Sequence, residues 1–174
     1  TVGVGNMLPT FVEAQRIAFI NRKTLLGASK AEIKLDFENV AKQPKGLPAN
    51  HYAPFTALDL PPNEIDSLLD KRIKEFKSQL TSHFPKFDYY PITAQFALLD
   101  MAFNLGTNGL ITKFPKFNEA VAAEDWEAAA RESYRPDVSV DRNNTVRNWL
   151  ISASIAANPM RATRAALVTK HLTF

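Results

Sequence analysis

The stretch PITAQFALLDMAFNLG constrains this chain more than any other. Set out at 3.6 residues per turn, Ile92, Phe96, Leu98, Leu99, Met101, Ala102, Phe103 and Leu105 cover nearly the whole circumference. A helix apolar on all sides needs neighbours on all sides. The spacing therefore predicts a buried central helix, ended by Gly106 as a C-terminal cap, inside a domain large enough to surround it. With 174 residues, 45% of them hydrophobic, the chain can build that core, and its composition excludes a disordered chain.

The segments around it supply the neighbours. NEIDSLLDKRIKEFKSQLTSHF aligns Ile65, Leu68, Leu69, Ile73, Phe76, Leu80 and Phe84 on one face and charges on the other. As a helix it spans roughly 33 Å, long enough to connect two lobes. SKAEIKLDFENVAK opens with a capping box, Ser29 with Glu32, ahead of an Ile33, Phe37, Val40 stripe. PTFVEAQRIAFINR places Phe11, Ala14, Ile17 and Ala18 at helical spacing behind Pro9 and Thr10. Shorter helices are expected at 115–123, 124–134 and 142–157, and a last one at 159–171 begun by Pro159. Residues 44–62 hold five prolines and a glycine and read as one long loop. The fold class is α+β and mostly helical: one domain over 1–174, with an N-terminal lobe at 1–62, a connecting helix at 63–84 and a helical C-terminal lobe at 85–174.

The β component of that class is the opening TVGVGNML, whose Thr1, Val2 and Val4 alternate as an extended run. A lone strand leaves its backbone groups unpaired. The expectation is a partner upstream of Thr1, a partly missing β element and a chain that is a fragment of a longer one.

Most catalytic chemistries find no foothold. There is no cysteine, hence no disulfide, thiolate nucleophile or thiolate metal site. His51, His83 and His171 lie far apart without a second ligand at metal spacing, no serine sits in a GxSxG elbow, and GVGN lacks the length and lysine of a phosphate loop. No metal or other cofactor is expected. No run of apolar residues is long enough for a membrane span, and no signal peptide is visible. The net charge of +3 is a mild basicity that suits an anionic polymer. Carboxylates remain, but Glu32 with Asp36 and Asp66 with Asp70 lie on lysine-flanked polar helix faces and read as solvated surface.

Four segments carry a family resemblance. TVGVGNML resembles the T-[IV]-G-[IVYW]-G-[HN] strand of phage-type lysozymes, glycoside hydrolase family 24. ALLDMAFNLGTNGLITKF is similar to that family's central helix and the turn after it, with Phe103, Asn104 and Gly106 as its aromatic, amide and glycine. DWEAAARESYRPD and DRNNTVRNWLIS resemble its C-terminal helices. The longer middle, residues 22–60, resembles the form found in bacterial cell-wall-degrading effectors.

The resemblance implies a lysozyme-like two-lobed fold and hydrolysis of the β-1,4 bond between N-acetylmuramic acid and N-acetylglucosamine in peptidoglycan. It places Thr1 on the catalytic threonine, where a hydroxyl holds a water opposite the leaving group, and puts the general-acid Glu and the Asp before residue 1. As a residue Thr1 also reads as an ordinary strand position. Asn6 stands where the family often has His and substitutes neutral hydrogen bonding. Asn104 matches a substrate-contacting amide, or caps its helix. Arg142 and Arg147 match basic positions near the catalytic acid, or belong to solvated surface. Trp126 and Tyr134 are expected to pack rather than bind sugar. The implied partner is a peptidoglycan glycan strand, with an immunity protein blocking the cleft if the effector likeness holds, no nucleic acid, and a site of action in the bacterial periplasm after secretion or delivery. The alternative is a non-catalytic peptidoglycan-binding module of the same fold.

Overall fold

The computed structural model describes Val2, Gly3 and residues 8–158. The helix expected at 159–171 and most of the opening strand lie outside these residues. Val2 forms a single bridge and Gly3 a turn at φ +54. The architecture is mostly helical with one small antiparallel sheet, and the chain divides into two compact units, residues 1–72 and 73–174.

The first unit is built of short elements tied by polar braces. Helix α1 covers only Phe11–Ala14, although helical spacing continues to Ala18. Thr10 and Glu13 form its capping box, after which Arg16 and Ile17 donate to the carbonyls three residues back, tightening and ending the helix. The chain then extends, and Ile20–Asn21 become strand β1 instead of helix. Helix α2, Lys30–Ala41, starts at the expected Ser29 and Glu32 box and buries Ile33.

The long loop at 44–62 is more ordered than its prolines suggest. It contains a one-turn helix α3, Ala49–Tyr52, a 3-10 turn at Ala53–Phe55 and strand β2, Leu58–Asp59. Strand β2 pairs with β1, Ile20 opposite Asp59 and Asn21 opposite Leu58. Two side chains fix this two-residue ladder. The Asp36 carboxylate accepts from the Ala57 and Leu58 amides at 2.9 Å each, and the Arg22 guanidinium donates to Asp59 and to the carbonyls of Thr56 and Leu58. The apolar centre is small: Ala14, Ile33 and Leu58, with Leu8, Phe11, Phe19, Ala28 and Phe37 packed around them.

Helix α4, Pro62–His83, carries the boundary between the units, at residues 72 and 73. Its stripe is buried unevenly. Phe76, Leu80 and then Phe84 are inside the second unit, whereas Ile73 is exposed.

The second unit is a stack of helices: α5 Ile92–Leu105, α6 Thr107–Lys113, α7 Pro115–Ala122, α8 Trp126–Glu132 and α9 Val140–Ala157. α5 packs on α9, α8 on α9 and α7 on α8. α5 buries Ala94, Ala97, Leu98, Met101 and Ala102, but it is not enclosed on every side: Ile92 and Phe96 in its first turns are exposed, Phe96 against the ring of Trp149. Gly106 ends α5 at φ +70, and α6 starts at the next residue where only a turn was expected. The buried Asn118 amide closes the far end of α6, donating to the carbonyls of Leu110, Ile111 and Phe114.

Candidate functional site

Of the five residues singled out from sequence, Thr1 and Asn6 lie outside the described residues. The other three are in the second unit. Asn104, in the last turn of α5, is exposed, and its side chain hydrogen-bonds to no described residue. The positive φ of Gly106 makes the helix end, so the Asn104 amide is not engaged as its cap. Arg147 is exposed on α9 and forms no ion pair among the described residues. Lying five positions after Arg142, it points about 140° away around the helix.

Arg142 belongs to a cluster. Asp100, on α5, accepts from Arg142 Nε through Oδ2 and from Arg135 Nη1 through Oδ1, both at 2.9 Å. Arg135 lies just before Pro136 in the α8–α9 connection, its side chain 2% exposed against 41% for Arg142. Asn143 splints that connection: its Oδ1 accepts from the Arg135 amide at 3.1 Å and its Nδ2 donates to the carbonyls of Arg135 and Val138. Arg135 Nη2 is buried and has no partner among the described residues.

The chemistry of the cluster follows from its charge. A buried guanidinium is tolerated only beside a carboxylate, which explains why an acid sits in the apolar run of α5. One carboxylate between two guanidiniums leaves a net positive charge. Arg142 also stands in the first turn of α9, where the helix dipole disfavours a cation, and Asp100 offsets that cost. The result is an oriented, half-exposed guanidinium whose Nη1 and Nη2 bond to no described residue. Such a fork can hold a planar carboxylate or steady developing negative charge; it cannot donate a proton near neutral pH. Asn104 follows Asp100 by one helical turn, so the exposed amide and the carboxylate of the cluster lie on one face of α5.

Sequence reading missed Asp100 and Arg135. A signal was present, a lone acid inside the apolar run of α5, but its partners are 35 and 42 residues away. The other acids weighed are now placed. The Glu32 carboxylate is held below its ordinary pKa by the Ser29 backbone amide first, then by the Ser29 hydroxyl and the Asn21 amide. With Asp36 bound to the amides of β2, this pair has structural work rather than acid–base work. Asp66 and Asp70 are exposed on α4. Trp126 is buried against Tyr90, ring centroids 4.9 Å apart, whereas Tyr134, expected to pack, is 63% exposed. His51 and His83 meet the neighbouring rings of Tyr52 and Phe84 edge to face, and His171 lies outside the described residues.

Against known proteins, the chain matches no family model, no curated protein and no solved structure.

Proposed function

We propose that this chain is the larger part of a lysozyme-like muramidase acting on the peptidoglycan glycan strand, in the manner of phage-type lysozymes and of bacterial wall-degrading effectors. The observation that carries the reading is the ALLDMAFNLGTNGL segment, with its exposed Asn104 one turn from Asp100, the carboxylate that anchors Arg142. An exposed amide on α5 and, from α9, a guanidinium oriented by the Asp100 of that same α5 face suit a polar, carboxylate-bearing polymer. In this reading Thr1 holds the attacking water, and the Glu and Asp come from residues before it. Glutamic acid of raised pKa protonates the leaving oxygen while the opposite face is met by water. The periplasm is the place of action, and an immunity protein is the natural inhibitor.

The test is release of reducing ends from purified peptidoglycan, with co-sedimentation for binding. It compares the 174-residue chain with a chain carrying the same residues behind a hairpin that supplies the Glu and Asp. Both should bind, and only the longer should cleave. Cleavage by the shorter chain would place the acid within residues 1–174. Binding without cleavage by the longer chain would make this a non-catalytic wall-binding module, and absence of binding by both would remove the reading altogether.

A further inference from the structure

The turn between β1 and α2 carries two leucines that no described residue covers. Leu25 is 71% and Leu26 69% exposed, and Leu25 holds φ +59, a conformation that residues with branched side chains seldom adopt. The turn is not loose. Asn21 Oδ1 accepts from the amides of Lys23 and Thr24, the Asn21 carbonyl accepts from the Leu25 amide at 2.8 Å, and the Leu26 amide donates to Thr24 Oγ1. The Leu26 carbonyl accepts from the Asn21 amide at 2.8 Å, and Ile20 bridges to Gly27 below the tip. Every backbone N–H from Lys23 to Leu26 thus has a partner inside the turn, and two apolar side chains are held outward at its apex.

Along the segment that carries the tip the charged residues have one sign, and the nearby carboxylates are engaged at its base, Glu32 by the Asn21 amide and Asp59 by Arg22. Between Glu13 and Glu32 the sequence contains Arg16, Arg22, Lys23 and Lys30 and no acid. Arg22 is engaged by Asp59, while Arg16, Lys23 and Lys30 are exposed and form no ion pair with a described residue.

We infer that the Leu25–Leu26 tip is a membrane-surface anchor, inserting its two leucines into the interfacial layer of an anionic bilayer while the basic residues of the same segment meet the headgroups. Three observations select this partner. Backbone entering lipid must bring its donors already satisfied, as they are here. Two leucines flanked by Thr24 and Gly27 fall far short of the roughly 800 Å² per partner of a stable protein interface. A weak apolar anchor combined with exposed lysines is the pairing that anionic membranes recognise. The inference is independent of the glycan-cleaving reading, since it involves neither Arg142 nor Asn104.

Co-sedimentation of the 174-residue chain with vesicles tests it, using phosphatidylcholine alone and phosphatidylcholine mixed equally with phosphatidylglycerol. Mixed vesicles should bind at least about tenfold more tightly than neutral ones. Leu25→Asn together with Leu26→Asn should lower that affinity at least about tenfold with the circular dichroism spectrum unchanged, because asparagine accepts a positive φ. Leu26→Ser alone, at a position without positive φ, should show a smaller loss and serves if the double variant misfolds. Lys23→Gln with Lys30→Gln should remove the preference for anionic vesicles. The inference is overturned if the wild-type chain ignores mixed vesicles or if the asparagine variant binds them as the wild type does, which would leave charge alone. It also fails if the leucines instead drive self-association in sedimentation equilibrium without vesicle binding.

Discussion

The two units hold themselves together by different means. Residues 73–174 surround a large apolar centre, in which Leu98, Phe117, Val121 and Leu150 are fully buried, and add one ionic cluster at its edge. Residues 1–72 have only a small apolar centre, and their short elements are positioned by polar contacts: two capping boxes, the Asp36 carboxylate on β2, and the Arg22 guanidinium. Apolar burial is worth about 1.5–3 kcal/mol per large side chain, a hydrogen bond about 0.5–1.5 net. Geometry in the first unit is therefore specified by contacts that are individually weaker and easier for water to replace.

The largest expected effect lies in the second unit. Asp100→Ala leaves Arg135 buried without its carboxylate and should cost about 3–5 kcal/mol in urea unfolding followed by tryptophan fluorescence. In the first unit, Asp36→Ala removes the acceptor of two backbone amides and should cost about 1–3 kcal/mol, with hydrogen exchange at Ala57 and Leu58 accelerated and the second unit untouched. A larger loss from Asp36→Ala than from Asp100→Ala would reverse the comparison. The smallest effect is one of pH. Because Glu32 titrates below its ordinary 4.5 when folded, its contribution is present above that value and withdrawn as pH falls through the lower folded one. The stability gap between wild type and Glu32→Gln should therefore be open at neutral pH and close in strong acid, and a gap that stays open would sink the assignment of Glu32 to the cap.

What could be read from the sequence follows the same division. Helices α2 and α4, the Ser29 and Glu32 box and the Gly106 end of α5 rest on local patterns, and the structure shows each of them. Strands β1 and β2 are two residues long, too short for alternation to register, and are held by contacts between distant parts of the chain, Arg22 at the end of β1 and Asp36 of α2 both reaching the β2 segment. The sequence offered Arg142 only through resemblance, and nothing local announced that it shares Asp100 with the buried Arg135. A carboxylate with partners this far along the chain leaves no periodic trace, only the oddity of an acid in an apolar run.

The corner between α5 and α6 has a consequence for how this molecule can change over time. A single residue, Gly106, separates the two helices, and its φ of +70 with ψ of 152 is a backbone state that essentially only glycine holds. A side-chain carbon there would meet no atom within 4 Å, so the demand is on backbone torsion alone. One inserted residue would turn α6 by about 100° and carry Leu110 off its buried face. The segment thus tolerates a change of side chain at an exposed position such as Asn108, yet is constrained in length at this corner.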